Sequence, residues 1–207
     1  SFRDEKDFTA YSRNVQAGTG LHYTYNHGSV HLTYQQNHNK REYTDDSVWI
    51  GGFSKYSYQD YTGNSGFTEL YANHRLNNHL DLTGGLDYRW QNTDQEYLSV
   101  SDFGPYETRL SADSARANIF SAYASVLIKE VRRFNLESGL RYNVHSRFGK
   151  QTTFTLNPSW QYGNWKVFVN ISSAFKAPSL YQLFDSYSGQ PELRAEKSVT
   201  LEGGIQF

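Results

Sequence analysis

Neither cysteine nor methionine occurs anywhere in the 207 residues. The first absence excludes disulfides, thiolate metal centres and catalytic thiols. The second, together with a start at Ser1-Phe2-Arg3-Asp4, predicts a processed or excised segment whose leader is already gone. Long hydrophobic runs are missing as well: uncharged apolar stretches last only a few residues, and a membrane-crossing helix needs about 20. An excess of charge of one sign is also lacking. The 20 Lys and Arg against 21 Asp and Glu leave a net charge of −1, which carries no nucleic-acid footprint and no general pull toward anionic lipid.

What is present is aromatic and polar at once. Aromatic residues make up 16% of the chain, chiefly 17 Tyr and 13 Phe, yet the mean hydropathy is −0.74. A sheet with one greasy face and one wet face has that composition. The periodicity agrees, because apolar residues recur every second position rather than every 3.6. From Leu80 to Gln91, Leu80, Leu82, Leu86, Tyr88 and Trp90 share one face, while Asp81, Thr83, Asp87, Arg89 and Gln91 share the other. Phe134–His145, Thr152–Tyr162, Trp165–Ser172 and Ser198–Phe207 alternate in the same way. Weaker alternation marks Leu21–Asn26, Ser29–Gln36, Phe67–Arg75 and Ala115–Ile128, with Phe8–Ala17 as a further strand. The total is about nine or ten strands, several of them about 10 to 12 residues long, the length that crosses hydrocarbon at a tilt.

Connections alternate in length. Asn26–Gly28, Leu76–His79, Lys129–Arg133 and Tyr162–Asn164 are short; Asn37–Gly66, Asn92–Ser114 and Lys176–Lys197 are long and polar, with Ser146–Gln151 a shorter member of that set. Tight turns on one side and long loops on the other predict an all-β fold of antiparallel transmembrane β-barrel strands, with short periplasmic turns and long extracellular loops. Aromatics toward strand ends, such as Phe134, Tyr142, Trp160, Tyr162 and Trp165, fit interfacial girdles. Asp81, Asp87, Arg89, Glu137, Arg141 and Lys166 on the polar face cannot meet lipid and would suit a wet lumen. The competing reading is the solvated face of a soluble all-β binding domain.

One segment resembles a known family. Ser173-Ala174-Phe175-Lys176-Ala177-Pro178-Ser179-Leu180-Tyr181-Gln182-Leu183-Phe184, followed by Gln190-Pro191-Glu192-Leu193-Arg194-Ala195-Glu196-Lys197-Ser198, is similar to paired motifs of TonB-dependent outer-membrane receptors, in the cobalamin and siderophore receptor group. Gln182, Gln190 and Ala195 replace the family's usual Glu, Asn and Pro. Leu82–Tyr88 and Leu136–Tyr142 also look like the family's Leu-x-x-Gly-Leu-Arg-Tyr strand pattern. The resemblance implies a barrel of about 22 strands with a plugged lumen, so residues 1–207 would be a middle-to-late part of it, without plug domain or TonB box. It further implies import of a large scarce nutrient across the bacterial outer membrane. Cobalamin or another corrinoid is the first expectation and a ferric siderophore the second. The implied partners are outer-membrane lipid, TonB acting through the plug of the parent protein, the small-molecule nutrient and, on the cell surface, a lipoprotein. A self-contained small barrel serving as pore, adhesin or structural protein stays open as the alternative.

Candidate site residues follow from the same segment. Tyr181, Phe184 and Tyr187 offer aromatic area to a large amphipathic ligand. Phe175, Lys176, Ala177, Pro178, Leu180, Pro191, Leu193, Glu196 and Lys197 carry the motif and are expected to be structural, with Pro178 stiffening the strand exit. His22 and His31 could approach each other across a hairpin, but no carboxylates at ligand spacing accompany them. Asp45, Asp46 and Asp60 could offer oxygen to a hard cation, although solvated loop acids explain them too. No Gly-x-Ser-x-Gly elbow, phosphate loop or His-Glu-x-x-His is present. The expectation is therefore a transporter without catalytic residues or cofactor, with an outer-membrane protease or phospholipase as the enzyme alternative.

Overall fold

The structure, a computed structural model, describes residues 7–46, 54–185 and 188–207. Ten strands form one antiparallel sheet. In chain order they are β1 (Phe8–Tyr25), β2 (Gly28–Asp45), β3 (Ser54–Asn77), β4 (Leu80–Ser101), β5 (Gly104–Leu110), β6 (Arg116–Val131), β7 (Phe134–His145), β8 (Gly149–Tyr162), β9 (Trp165–Lys176) and β10 (Glu196–Gln206). A short helix, α1 (Leu180–Phe184), lies between β9 and β10. Neighbours in the sheet are neighbours in sequence, except that β4 pairs with β6 and the small β5 folds back on the far end of β4. Among the described residues β1 pairs only with β2 and β10 only with β9, so the sheet stays open.

Four two-residue turns share one end, whereas the two-residue β4–β5 turn at 102–103 and the three-residue β7–β8 connection at 146–148 lie at the other. Asn26-His27, Asn78-His79, Arg132-Arg133 and Gly163-Asn164 each join a pair of strands in two residues. The opposite end carries the longer connections, 111–115 and 177–195 among them. One short turn stands apart. Arg132 and Arg133 both have positive φ, 51° and 72°, between the paired Val131 and Phe134. That is the tight hairpin geometry that favours Asn-Gly, and each non-glycine residue there costs about 1–2 kcal/mol.

The sheet's two faces are reversed relative to a water-soluble protein. On the polar face Asp87 is 2% exposed and Ser121 0%, while on the apolar face Leu140 is 62% exposed and Leu201 72%. Cross-strand register explains the first half. Glu69, Asp87, Ser121 and Asn143 lie in one row across β3, β4, β6 and β7, and they cover one another. Arg141 donates to both Asp87 and Ser121, and Ser121 also donates to Asp87 at 3.3 Å. The adjacent row contains Tyr71, Gly85 and Tyr123. A Cβ on Gly85 would stand 2.7 Å from the Tyr123 ring and 2.7 Å from the Tyr71 Cβ. Gly85 therefore lets Tyr123 lie flat across the strand and donate to Glu69 at 2.8 Å. Gly85→Ala is expected to destabilise the fold by ~1–3 kcal/mol through overpacking, and Tyr123→Phe by ~1 kcal/mol through the lost hydrogen bond. Thermal midpoints of the two variants test that order; an alanine milder than the phenylalanine would refute it.

The observed strands correct two expectations from sequence. Phe8–Ala17 and Leu21–Asn26 are a single strand, β1, because Gly18 and Gly20 continue the ladder opposite Gln35 and Thr33. The expected long loops are largely sheet. β2 runs on to Asp45, β3 begins at Ser54, β4 extends to Ser101 and β5 is new. Apart from Leu98 and Val100 near the end of β4, these extensions are largely polar on both faces, so they carry little apolar alternation; ladder hydrogen bonds hold them instead. Phe134–His145 matches β7 at both ends.

Candidate functional site

The long-loop end of the polar face holds the candidate site. Register places Tyr43 of β2, Tyr61 of β3 and Gln95 of β4 on the same side as Asp87, several residues further toward the long loops. They line an open hollow of about 700 Å³ with Asn37, Arg41 and Tyr181. Phe8 and Tyr43 stack at 6.1 Å, and Tyr43 meets Tyr61 edge-on at 6.2 Å. Burial pushes the Tyr61 phenol up, aided by the neighbouring Asp185 carboxylate and Tyr181, so it remains a neutral donor, given at 3.2 Å to Gln59. Gln95 is only 7% exposed. The side-chain oxygens of Gln95 and Asn37 are buried without a hydrogen-bond partner, a costly condition. Aromatic faces beside amide side chains can hold a bulky ligand with flat apolar parts and polar edges.

A second hollow, of about 620 Å³, continues along the same face toward the short turns and includes Phe67, Arg89, His145 and Phe175. Phe175 packs edge-on against His145 at 6.4 Å, and Phe148 does the same at 5.0 Å. Arg89 lies over the Phe67 ring at 4.8 Å.

Tyr181 is put in place by α1. Ser179 caps the helix by accepting from the Gln182 amide at 3.2 Å, and the Gln182 side chain accepts from the Ser179 amide at 2.9 Å. This reciprocal capping box fixes the first turn. Leu180 and Leu183 are buried, and the helix stops at Asp185, whose amide donates back to Tyr181. Gly189 then packs on Asp185 where a Cβ would come within 2.4 Å of its carbonyl. Exposed Tyr181 is thereby held at the rim of the larger hollow.

The motif residues separate by position. Phe184 lines neither of these two hollows, and the Arg147 guanidinium covers its ring at 4.3 Å. Tyr187 lies outside the described residues. Pro178 is half-buried ahead of the helix, and Ala177 lines the smaller hollow beside Phe175. Lys176 ends β9 opposite Glu196, which opens β10, with their charged groups 3.8 Å apart; Lys197 stands opposite Phe175. Pro191 and Leu193 are exposed on the connection between them. Sequence reasoning missed Tyr43, Tyr61, Asn37 and Gln95, which fell in segments taken for loops.

The other candidates look different in three dimensions. His22 and His31 are indeed opposite each other, stacked at 4.2 Å, and His31 stacks in turn on Tyr71 at 4.4 Å. Their Nε2 atoms are engaged by Thr24 at 3.1 Å and Ser29 at 2.9 Å. Asp45 and Asp60 project from opposite faces of the sheet, and Asp60 is paired with Lys40 at 3.1 Å. Among the described residues no three or more His, Asp or Glu side chains gather as a metal site.

Reversed faces, alternating connections and an open sheet are features of one class of proteins, and comparison with known proteins identifies it. Residues 1–207 match the family described as TonB dependent receptor-like, beta-barrel. The chain belongs to that family. A vitamin B12 transporter, BtuB, of Vibrio cholerae is 28% identical over 128 residues, covering 61% of this chain and 19% of its own length. The copper transporter OprC superposes with a TM-score of 0.70 at 12% identity, over 98% of this chain and 37% of its own. The ferric yersiniabactin receptor FyuA of Yersinia pestis gives 0.66 at 17% identity, over 95% of this chain and 34% of its own. The chain thus spans about a fifth of the curated relative and about a third of these structures. The family is one of outer-membrane transporters and receptors, and these solved relatives share the barrel fold.

Proposed function

We propose that residues 1–207 form part of the barrel wall of an outer-membrane, TonB-dependent importer whose nutrient enters from the long-loop end. The polar face then lines the lumen, the apolar face meets lipid, the short turns are periplasmic and the long-loop end is extracellular. The observation that carries this reading is the hollow at that end, lined by Tyr43, Tyr61 and Tyr181 together with the amide side chains of Asn37 and Gln95. Such a surface grips a large amphipathic nutrient by ring contact and by hydrogen bonds to the polar side chains between the rings. Transport of this kind needs no covalent step. The plug and the segment that engages TonB belong to the rest of the parent protein, and pulling on the plug would open the path past Phe175 and Arg89.

A corrinoid is the first substrate choice, because a vitamin B12 transporter is among the relatives recognised by sequence and a corrin ring offers broad apolar faces with amide edges. A ferric siderophore is the second, supported by the siderophore receptor among the structural neighbours. The reading as a self-contained small barrel is disfavoured because, among the described residues, the outer edges of β1 and β10 have no strand partner. Equilibrium binding of cyanocobalamin and of ferric siderophores to the full-length receptor decides between the substrates. Tyr181→Ala is expected to weaken binding of the preferred ligand about tenfold, the effect of roughly 1.4 kcal/mol. Unchanged affinity would remove Tyr181 from the site, and absence of binding to either class would overturn the substrate assignment.

A further inference from the structure

The whole-chain charge of −1 conceals a local excess at the short-turn end. Of the four short turns, three are built from Asn, His and Gly; the β6–β7 turn is Arg132-Arg133. Both residues hold the positive φ that suits Asn-Gly, so the sequence keeps two arginines where the backbone disfavours them. Neither forms an ion pair with any described residue. The nearby Lys129 is different, since Asp81 neutralises it at 2.6 Å. Glu130, near the end of β6, is the acid closest in sequence to the turn, and it too has positive φ.

The surroundings are aromatic. The Arg133 guanidinium lies 4.8 Å over the ring of Tyr162, in the next turn along the sheet. Tyr162, Trp160 and Trp165 are more than half exposed on the apolar face, and Phe134, opposite Trp160, is also exposed. Trp165 in turn contacts Phe207 at 4.6 Å. Rings in this position mark where an apolar band meets headgroups. Stacking on Tyr162 therefore directs one uncompensated guanidinium along the girdle, with the second beside it at the turn tip. Two planar donors above a ring belt match a phosphodiester above acyl chains.

Resting on the membrane reading given above, we propose that the β6–β7 turn is a binding site for the phosphate of an anionic phospholipid in the leaflet next to the short turns. Arg133, pre-positioned on Tyr162, and Arg132 bind the headgroup, while Trp160 and Trp165 flank its chains. The strain in the turn is then retained because Asn-Gly, which would relieve it, has no charge to offer.

The test uses the full-length receptor in detergent micelles containing equal amounts of phosphatidylglycerol and phosphatidylethanolamine, with bound lipid counted by native mass spectrometry. Wild type is expected to retain at least fivefold more phosphatidylglycerol than phosphatidylethanolamine. Arg132→Asn with Arg133→Gly should abolish that preference and raise the thermal midpoint in lipid-free micelles. Arg132→Gln with Arg133→Gln, which keeps the backbone strain, should abolish the preference without raising the midpoint. Equal phosphatidylglycerol retention in wild type and both variants overturns the proposal, as does wild type without a preference; in either case a receptor folded in micelles leaves the membrane reading standing. A receptor that folds and stays soluble without detergent would instead defeat the membrane reading, and the lipid site with it.

Discussion

Replacing Arg141 with methionine is expected to destabilise the folded receptor by about 3 kcal/mol, near the lower end for breaking a buried ion pair from one side. The Asp87 side chain is wholly covered, and Arg141 is its charged hydrogen-bond donor as well as the donor to Ser121. Removing Arg141 leaves a carboxylate in a dry patch with the Ser121 hydroxyl at 3.3 Å and the exposed Arg89 at 3.4 Å, which offset only part of the loss. Arg141 also lies 5.3 Å above the Tyr123 ring, so its departure loosens the neighbouring Tyr123–Glu69 contact. Asp87→Ala combined with Arg141→Met should recover at least half of the loss, because the orphaned charge disappears with its partner. Denaturant unfolding in micelles, followed by tryptophan fluorescence, measures both. A single variant within 1 kcal/mol of wild type, or a double variant no better than the single, would show that water reaches Asp87 and that the network contributes little.

That network shows which features a lone sequence can reveal. Asp87 and Arg141 were legible as members of polar faces, since each falls between apolar neighbours in a strand of period two. Their pairing was not, because 54 residues separate them and only the register of β4, β6 and β7 brings them together. Strand β7 was readable at both ends because it carries contrast along its whole length, from Phe134 to Val144. The outer parts of β2, β3 and β4 lack that contrast. From Asn37 to Asp45 and from Ser57 to Gly66 both faces present mainly Asn, Gln, Tyr, Asp and other polar residues, so periodicity carries no signal there, although the ladder continues. The site suffered accordingly. Tyr181 was found because a motif pointed to it, whereas Tyr43, Tyr61, Asn37 and Gln95 sit in strand extensions that look like loop. The capping pattern from Ser179 to Gln182 was present in the sequence, and with buried leucines following the cap it is the local signal that marks α1.

The helix that carries Tyr181 is also the part of the site most easily undone. Leu183→Ala is expected to release α1 from the wall while leaving the sheet intact. Leu183 is 1% exposed, and truncating a fully buried leucine costs roughly 2–5 kcal/mol. A helix of five residues has no comparable reserve. Its capping box is worth ~1 kcal/mol, and the Arg147–Phe184 contact about as much. Most of the stability of the segment 179–185 therefore resides in Leu180 and Leu183, and losing one of them shifts the docked–undocked balance past its midpoint. Hydrogen exchange on the full-length receptor should show the amides of Leu183 and Asp185, which donate to the Ser179 and Tyr181 carbonyls, losing at least tenfold protection while amides of β7 and β8 keep theirs. Nutrient affinity should fall at least as far as in Tyr181→Ala, since an undocked helix removes the ring from the rim of the hollow. Arg147→Ala should give the same pattern in milder form. If exchange at 179–185 stays at the wild-type rate in Leu183→Ala, the helix is held by something other than its leucines, and Tyr181 is anchored from outside the segment that carries it.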